Sequence, residues 1–332
     1  MKKVLVLGSN SFTGSHFVNH ILENTNASII GISRSKEYDS IFLPYLYKKS
    51  RPKNFKFFQL DLNRDFTKII KLIYKEEPDV VVNYAAQGEV RNSWKFPDQW
   101  FQTNCMSIAK LTNYLKDKKY LKKYVSISTP EVYGSTEKNI VENFNFNPST
   151  PYAASKLAGD LFLSTLFKRY NFPVITTRSA NVYGSHQQLY RIIPRTIIYL
   201  KLGKKIELYG GGKAVRSFIH VRDVADATLK AIEKDNIGEI YHLSEEEKEI
   251  NIYSLVKKIC DRMDYNFDDN ITLTEENFGQ DAMYSLDSKN ARIKLGWRPS
   301  IDFDKGLNEV ISWVDENWKK IKDFPLDYIH KE

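Results

Sequence analysis

Tyr152 and Lys156 stand four residues apart in Pro151-Tyr152-Ala153-Ala154-Ser155-Lys156, a spacing that puts them one turn apart on the same face of a helix. A lysine ammonium beside a phenol stabilises phenolate, so Tyr152 is equipped to take a proton from an alcohol near neutral pH. Upstream, Thr129-Pro130-Glu131-Val132-Tyr133-Gly134 adds a hydroxyl and a carboxylate. Thr129 is expected at a strand end, sharing the alcohol's hydrogen bond. Glu131, two residues along, is expected to point to the same side and to act as a second general base. Two bases imply two proton abstractions from one substrate. Tyr-x-x-x-Lys alone is a common spacing in a chain with 20 tyrosines; the weight lies on the four residues together.

These groups need a scaffold, and the N-terminal stretch supplies one. Lys3-Val4-Leu5-Val6-Leu7 reads as a strand, Gly8-Ser9-Asn10-Ser11-Phe12-Thr13-Gly14 as a tight turn, and His16 to Leu22 as a helix. Strand, small-residue turn and helix N-terminus together make a pyrophosphate site, because glycine lets the backbone approach the phosphates and first-turn N–H groups point at the anion. Ser11 replaces the second of three expected glycines and is small enough to donate to a phosphate. A second strand, Ser28 to Ile32, ends in Ser33-Arg34-Ser35-Lys36 with no carboxylate for the adenosine ribose. Its cation and hydroxyls suit a 2′-phosphate, which favours NADP over NAD. A third strand, Phe57 to Leu62, follows, and Asp61 and Leu62 at its end are placed to approach the adenine.

Strand–helix alternation continues to about Asn181 and predicts an α/β fold, a Rossmann-type doubly wound parallel sheet with helices on both faces. Beyond Tyr183 the pattern changes. Helices are expected over 189–204, 222–234, 252–263, 288–295 and 305–320, with strands over 205–209 and 239–243, the latter rejoining the large sheet. The reading is a dinucleotide domain of residues 1–182 and about 221–246, and a smaller discontinuous domain of about 183–220 and 247–332. Such an arrangement places a ligand cleft between the domains, at the carboxyl ends of the strands.

Length and composition agree. A chain of 332 residues, 42% hydrophobic and 13% aromatic, has enough material for two cores. The net charge of +8 comes from dispersed lysines such as those between Lys116 and Lys123, with no basic arm for nucleic acid. Cys105 and Cys260 are too few and too far apart for a disulfide scaffold or metal cluster, and the histidines show no ligand spacing. The opening apolar run is too short to span a membrane and lacks a cleavage site, so a cytoplasmic location is expected.

The chain resembles the extended short-chain dehydrogenase/reductase family, specifically its nucleotide-sugar 4,6-dehydratases. Besides the glycine turn and Tyr152/Lys156, the resemblance rests on Asn83-Tyr84-Ala85-Ala86-Gln87, Arg178 to Gly184, Arg216 to Val224 and Leu295-Gly296-Trp297-Arg298-Pro299. Thr129-Pro130-Glu131 is similar to the Thr-Asp-Glu of dTDP-glucose 4,6-dehydratases and the Thr-Ser-Glu of GDP-mannose 4,6-dehydratases. Gly31 to Arg34 and Ala85-Ala86-Gln87 lean to the latter type, which uses NADP. The resemblance implies that Tyr84, Ala85, Ala86 and Gln87 flank the nicotinamide. It also implies that Gln87, Glu89, Thr129, Asn181, Arg191 and Arg216 meet a sugar nucleotide.

By this resemblance, Tyr152 takes the C4 hydroxyl proton, aided by Lys156 and Thr129, while hydride leaves C4. Glu131 removes the C5 proton, water departs from C6, and the hydride returns to C6. The product is a 4-keto-6-deoxy sugar nucleotide, and the cofactor stays tightly bound and is recycled. Two departures stand out. Pro130 occupies the place of an aspartic acid that protonates the departing hydroxyl, and Glu276 to Asp281 lacks an expected arginine. Related alternatives are a 4-epimerase, a 5,6-dehydratase and a UDP-glucuronate decarboxylase; a catalytically silent NADP-sensing protein is the distant one. The family's usual two-fold assembly implies a homodimer through helices near 100–116 and 152–170, the second bearing Leu157, Leu161, Phe162, Leu163, Leu166 and Phe167.

Overall fold

In the computed structural model, residues 1–136, 139–245, 249–274, 283 and 285–331 are described. The chain opens with β1 (Lys3–Leu7), α1 (Phe12–Asn24), β2 (Ser28–Ser33), β3 (Phe55–Gln59), α2 (Phe66–Glu76) and β4 (Val80–Asn83). A long helix, α3, follows: Pro97–Phe101, a π-helical turn at Gln102–Met106, then Ser107–Leu115. Next come β5 (Lys123–Ile127), α4 (Pro151–Tyr170), β6 (Val174–Ser179), β7 (Asn181–Tyr183) and α5 (Ile192–Lys201). The remainder is β8 (Ile206–Tyr209), β9 (Val215–His220), α6 (Val221–Glu233), β10 (Ile240–Leu243), β11 (Glu249–Asn251), α7 (Ile252–Arg262), β12 (Ile271–Thr274), α8 (Lys289–Leu295), α9 (Phe303–Glu316) and α10 (Trp318–Ile321).

Seven parallel strands form one sheet in the order β10-β6-β5-β4-β1-β2-β3. The order reverses between β1 and β4, and the crevice at such a switch point is where this architecture binds ligands. Strand parity sets the two layers. Val4 and Val6 of β1 face Phe17, Val18 and Ile21 of α1 and Ala225, Leu229 and Ile232 of α6. Leu5 and Leu7 face the opposite side, with Ile69 and Ile73 of α2, Ile108 and Leu111 of α3 and Leu163 and Leu166 of α4. All four β1 side chains are buried, each worth about 1.5–3 kcal/mol of transfer from water.

A separate core joins Ile193 and Ile197 of α5, Leu255 and Ile259 of α7, and Val310 and Trp313 of α9. Two small sheets flank it, β11-β9-β7 and β12-β8. The Trp297 indole donates to the Asp223 carbonyl at 2.9 Å, and the Asp223 carboxylate accepts from Ser300 and Ile301 N–H. The Leu295-to-Pro299 segment therefore ties the turn after α8 to α6. No helix among the described residues is long and apolar enough to cross a membrane.

The last long helix is shorter than expected, ending at Glu316 and giving way to α10. The assembly reasoning also needs correction. Leu163 and Leu166 are core, and Phe162 and Phe167 pack against it. Leu157 packs on a small cluster around Val132. Of the six residues only Leu161 is largely exposed, at 44%.

Candidate active site

The strand ends converge on a cavity of about 750 Å³ lined by groups from both parts of the chain. Gly8 turns the chain at φ +76, and a Cβ there would lie 2.6 Å from Ala85 N, so only glycine lets β1 pass so close to the end of β4. Ser11 caps α1, its Oγ accepting from Gly14 N at 3.0 Å. That bond uses a lone pair of the hydroxyl oxygen and leaves its hydrogen able to donate to a phosphate. Asn10 is buried and its Oδ1 finds no partner among the described residues. An unpartnered buried oxygen at the first turn, beside a cradle a Cβ would fill, fits a bound dinucleotide with its own donors. Phe12 and Thr13 line the same wall.

At the end of β2, Ser33 Oγ accepts from Asn10 N at 2.9 Å, and the Asn10 amide donates to the Ser35 and Lys36 carbonyls. Arg34 reaches Gln87 Oε1 at 3.4 Å. Ser35 Oγ accepts from Lys331 at 3.0 Å. Most of the group expected to hold a 2′-phosphate thus already has protein partners. Asp61 and Leu62 line the cavity, but Asp61 Oδ1 accepts from Asn63 and Arg64 N–H and so organises its own turn. Tyr84, Ala85, Ala86 and Gln87 line the floor at the end of β4.

Gln87 is fixed by the π-helical turn of α3. Buried Asn104 accepts from Gln87 N at 2.9 Å and donates to Gln87 O and to Ser155 Oγ, both at 3.0 Å. A π-turn breaks the regular ladder, which is why such turns gather at functional sites. Gly159 makes the approach possible, since a Cβ there would lie 2.5 Å from Asn104 O. None of this was visible in the sequence, where the segment reads as ordinary helix.

Tyr152 opens α4 behind the cap of Thr150, whose Oγ1 accepts from Ala153 N. Thr129, Glu131 and Tyr152 all line the cavity. The phenol is hydrogen-bonded to the Thr129 side chain, yet burial first, and the Glu131 charge second, push its pKa well above that of a free tyrosine. Lys156 Nζ donates to Ile127 O at 2.7 Å, and burial lowers its pKa, with nearby Asp160 opposing. Burial thus opposes the phenolate that Lys156 is expected to stabilise. The expected route for Glu131 also needs correction. It does not sit on a strand beyond Thr129, because β5 ends at Ile127 and Pro130–Tyr133 forms a 3₁₀ turn capped by Thr129. A turn, and not strand parity, brings the carboxylate to the cavity.

Beneath these groups runs a buried network. The Asp160 carboxylate, one turn beyond Lys156, accepts from Ser128 Oγ and from Arg178 Nη2, the latter at 2.9 Å. Arg178 also donates to Tyr133 OH, which pairs with His242 Nε2 at 2.9 Å, while His242 Nδ1 faces Ile140 O at 3.0 Å. Helical spacing from Lys156 could have flagged Asp160; nothing in the sequence joined it to Arg178 and His242.

Asn181, Arg191 and Arg216 line the opposite wall with Gln187, Tyr190 and Phe218. Arg191 caps α5 and lies 5.2 Å from the Tyr190 ring centroid. Arg216 Nη1 donates to Val215 O at 2.8 Å. Arg195 points elsewhere, to Tyr199 OH. Glu89 borders the cavity but caps a single helical turn, accepting from Arg91 and Asn92 N–H, so its carboxylate has a structural duty the sequence did not disclose. The Glu276-to-Asp281 loop lies outside the described residues.

Comparison with known proteins places this geometry. The model of the family described as GDP-mannose 4,6 dehydratase matches residues 5–310. The chain is 29% identical to a dTDP-glucose 4,6-dehydratase from Haemophilus influenzae, over 94% of this chain and 98% of that one. It is 30% identical to dTDP-D-glucose 4,6-dehydratase from Homo sapiens, over 97% and 93% respectively. Among solved structures, dTDP-glucose 4,6-dehydratase from Streptomyces venezuelae, with NAD and TYD bound, superposes with a TM-score of 0.87 at 27% identity, covering 96% of this chain and 98% of that one.

Proposed function

The chain belongs to the GDP-mannose 4,6-dehydratase family and is a nucleotide-sugar 4,6-dehydratase, a hydro-lyase using a nicotinamide cofactor; within that activity we propose that Thr129, Glu131, Tyr152 and Lys156 form its catalytic set. The observation that carries this reading is that Thr129, Glu131 and Tyr152 face one cavity bordered by the Gly8 turn. When bound, the nicotinamide dinucleotide accepts a hydride and later gives it back. Tyr152 accepts the C4 hydroxyl proton, with Thr129 holding the phenol in place. Lys156, fixed on Ile127 O, adds positive charge beneath the phenol. The C4 ketone acidifies the C5 hydrogen, and Glu131 removes it. Pro130 has no proton to give, so we assign to Glu131 the return of that proton to the departing C6 hydroxyl, which leaves as water. Arg191, Arg216 and Asn181 are proposed to meet the diphosphate, where the planar guanidinium suits phosphate oxygens.

For the cofactor we propose NAD, setting aside the expectation of NADP. The Streptomyces venezuelae relative was solved with NAD, and here Ser33, Arg34 and Ser35 are engaged with Asn10, Gln87 and Lys331. Titration with both dinucleotides tests this; tighter binding of NADP would restore the 2′-phosphate pocket. We also propose the two-domain division at about residues 183, 221 and 247, which puts the sugar nucleotide across the cleft from the dinucleotide. A two-fold dimer is proposed through the patch of Phe101, Met106 and Leu161, each at least 39% exposed; a monomeric mass by light scattering at micromolar concentration would contradict it. The substrate itself is tested by incubating the protein with GDP-, dTDP- and UDP-hexoses and with UDP-glucuronate and reading product masses. Loss of water from one of them supports the reading, and loss of carbon dioxide or no mass change from all opposes it.

A further inference from the structure

The segment after α10 folds back across the cavity mouth and is held there by side chains from three elements. The His330 ring stacks on Phe96, centroids 4.8 Å apart and 5° from parallel, and on buried Trp100 at 5.6 Å and 9°. Its Nε2 pairs with Gln99 Oε1 at 2.8 Å. Lys331 O accepts from Gln87 Nε2 at 2.8 Å, and Lys331 Nζ donates to Ser35 Oγ at 3.0 Å. With Arg34 on Gln87 Oε1, these contacts close a ring, Arg34–Gln87–Lys331–Ser35, that ties the ends of β2 and β4 together. Tyr328 lines the cavity and meets Tyr190 edge-on at 5.3 Å. Its phenol senses Arg34 and Glu89 from one wall and Arg191 from the other, although burial dominates and pushes its pKa up to about 12.

We propose that Tyr328 to Lys331 form the outer wall of the dinucleotide site, with His330 as its anchor, Lys331 positioning Gln87 and Ser35, and Tyr328 contacting the bound dinucleotide. The physical case is that the contacts are specific and partly buried, whereas a segment lying on the surface by default would share few polar partners with the strand ends that hold a cofactor. A wall made of a non-helical segment is also the part of the site that can open at least cost, because few apolar groups hold it. Closing it over the dinucleotide retains a cofactor that must survive from the first hydride transfer to the second. This rests on the cavity being the dinucleotide site.

The test is the dissociation rate of NAD from the full-length protein, followed by displacement after rapid dilution, in wild type, His330→Ala and the triple change Tyr328→Ala, His330→Ala, Lys331→Ala. His330 lies outside the catalytic set, and its loss is expected to raise the rate at least tenfold; the triple change is expected to raise it further. Unchanged rates in both variants would overturn the wall. Hydrogen exchange on the unaltered protein gives a second reading that needs no variant to fold. Added NAD is expected to slow exchange of the 326–331 amides several-fold, and identical exchange with and without NAD would overturn the proposal. Should wild type bind neither NAD nor NADP, the dinucleotide reading fails with it; normal binding with unaltered rates would sink the wall alone.

Discussion

Lys156 Nζ donates to the main-chain carbonyl of Ile127 at 2.7 Å, joining the catalytic helix to the last residue of the strand that leads to Thr129. The side chain thereby has two duties. It is proposed to bring positive charge to Tyr152, one helical turn away, and it ties the helix to the strand that leads to the Thr129–Glu131 turn. Arginine is too long and too broad to repeat both in a site only 4% exposed.

Lys156→Met is accordingly expected to lose at least 10²-fold in turnover and also about 1–3 kcal/mol in stability, because Ile127 O is left buried without a donor. Turnover assays and urea denaturation check the two effects separately. A loss of activity at full stability would show that the Ile127 contact carries no weight.

Glu131→Gln keeps the shape of the turn and removes the base. It is expected to leave C4 oxidation partly intact, visible as a build-up of reduced cofactor on mixing with substrate, while water elimination falls by about 10²-fold or more. Product formation at the parent rate would remove Glu131 from the elimination step. Tyr152→Phe is expected to stop both stages, since the phenol oxygen is the first proton acceptor.

His242 sets an acid limit on stability. Burial, then the Arg178 charge, lowers its pKa from 6.5 to about 4. The unfolded chain therefore binds the proton more readily than the folded one, so stability is complete above about pH 6.5 and falls as pH drops toward 4. At pH 5 the contribution of this one group is about 2 kcal/mol. Denaturation midpoints from pH 7.5 to pH 4.5 measure it, and His242→Gln is expected to flatten that pH dependence while lowering stability at neutral pH. An equally steep acid loss in the variant would assign the limit to other groups, such as His186 and His220, whose pKa values are also depressed by burial, to about 4 and about 3.

Arg216→Ala is expected to weaken sugar-nucleotide binding by about 1.5–3 kcal/mol, the worth of a charged hydrogen bond, and to leave NAD affinity nearly unchanged. Isothermal titration with UDP, GDP and dTDP checks this. Binding of all three at parental strength would take Arg216 out of the diphosphate wall.

The sequence was most legible where one periodicity rules. The strand at Lys3–Leu7, the Gly8 turn and the helical spacing of Tyr152 and Lys156 all reappear in the structure. Legibility failed where local geometry departs from a regular element. Glu131 reaches the cavity through a 3₁₀ turn, Asn104 holds the Gln87 main chain from a π-turn, and Glu89 spends its carboxylate on a cap. It failed too where partners are distant in sequence. Asp160 meets Arg178 where α4 packs against β6, and Gln87 meets Lys331 where the segment after α10 returns to the end of β4. Nothing in the spacing of a single chain announces such pairs.

In the proposed cycle a hydride taken from C4 returns to C6 of the same sugar while Glu131 works the C5 proton. A substrate carrying deuterium at C4, converted in ordinary water, measures it directly by product mass and NMR. The expected product has lost water and holds the deuterium at C6, and unlabelled substrate converted in heavy water is expected to carry one solvent deuterium at C5. Loss of the deuterium to solvent, its retention at C4, or a product with no water lost would rule this cycle out.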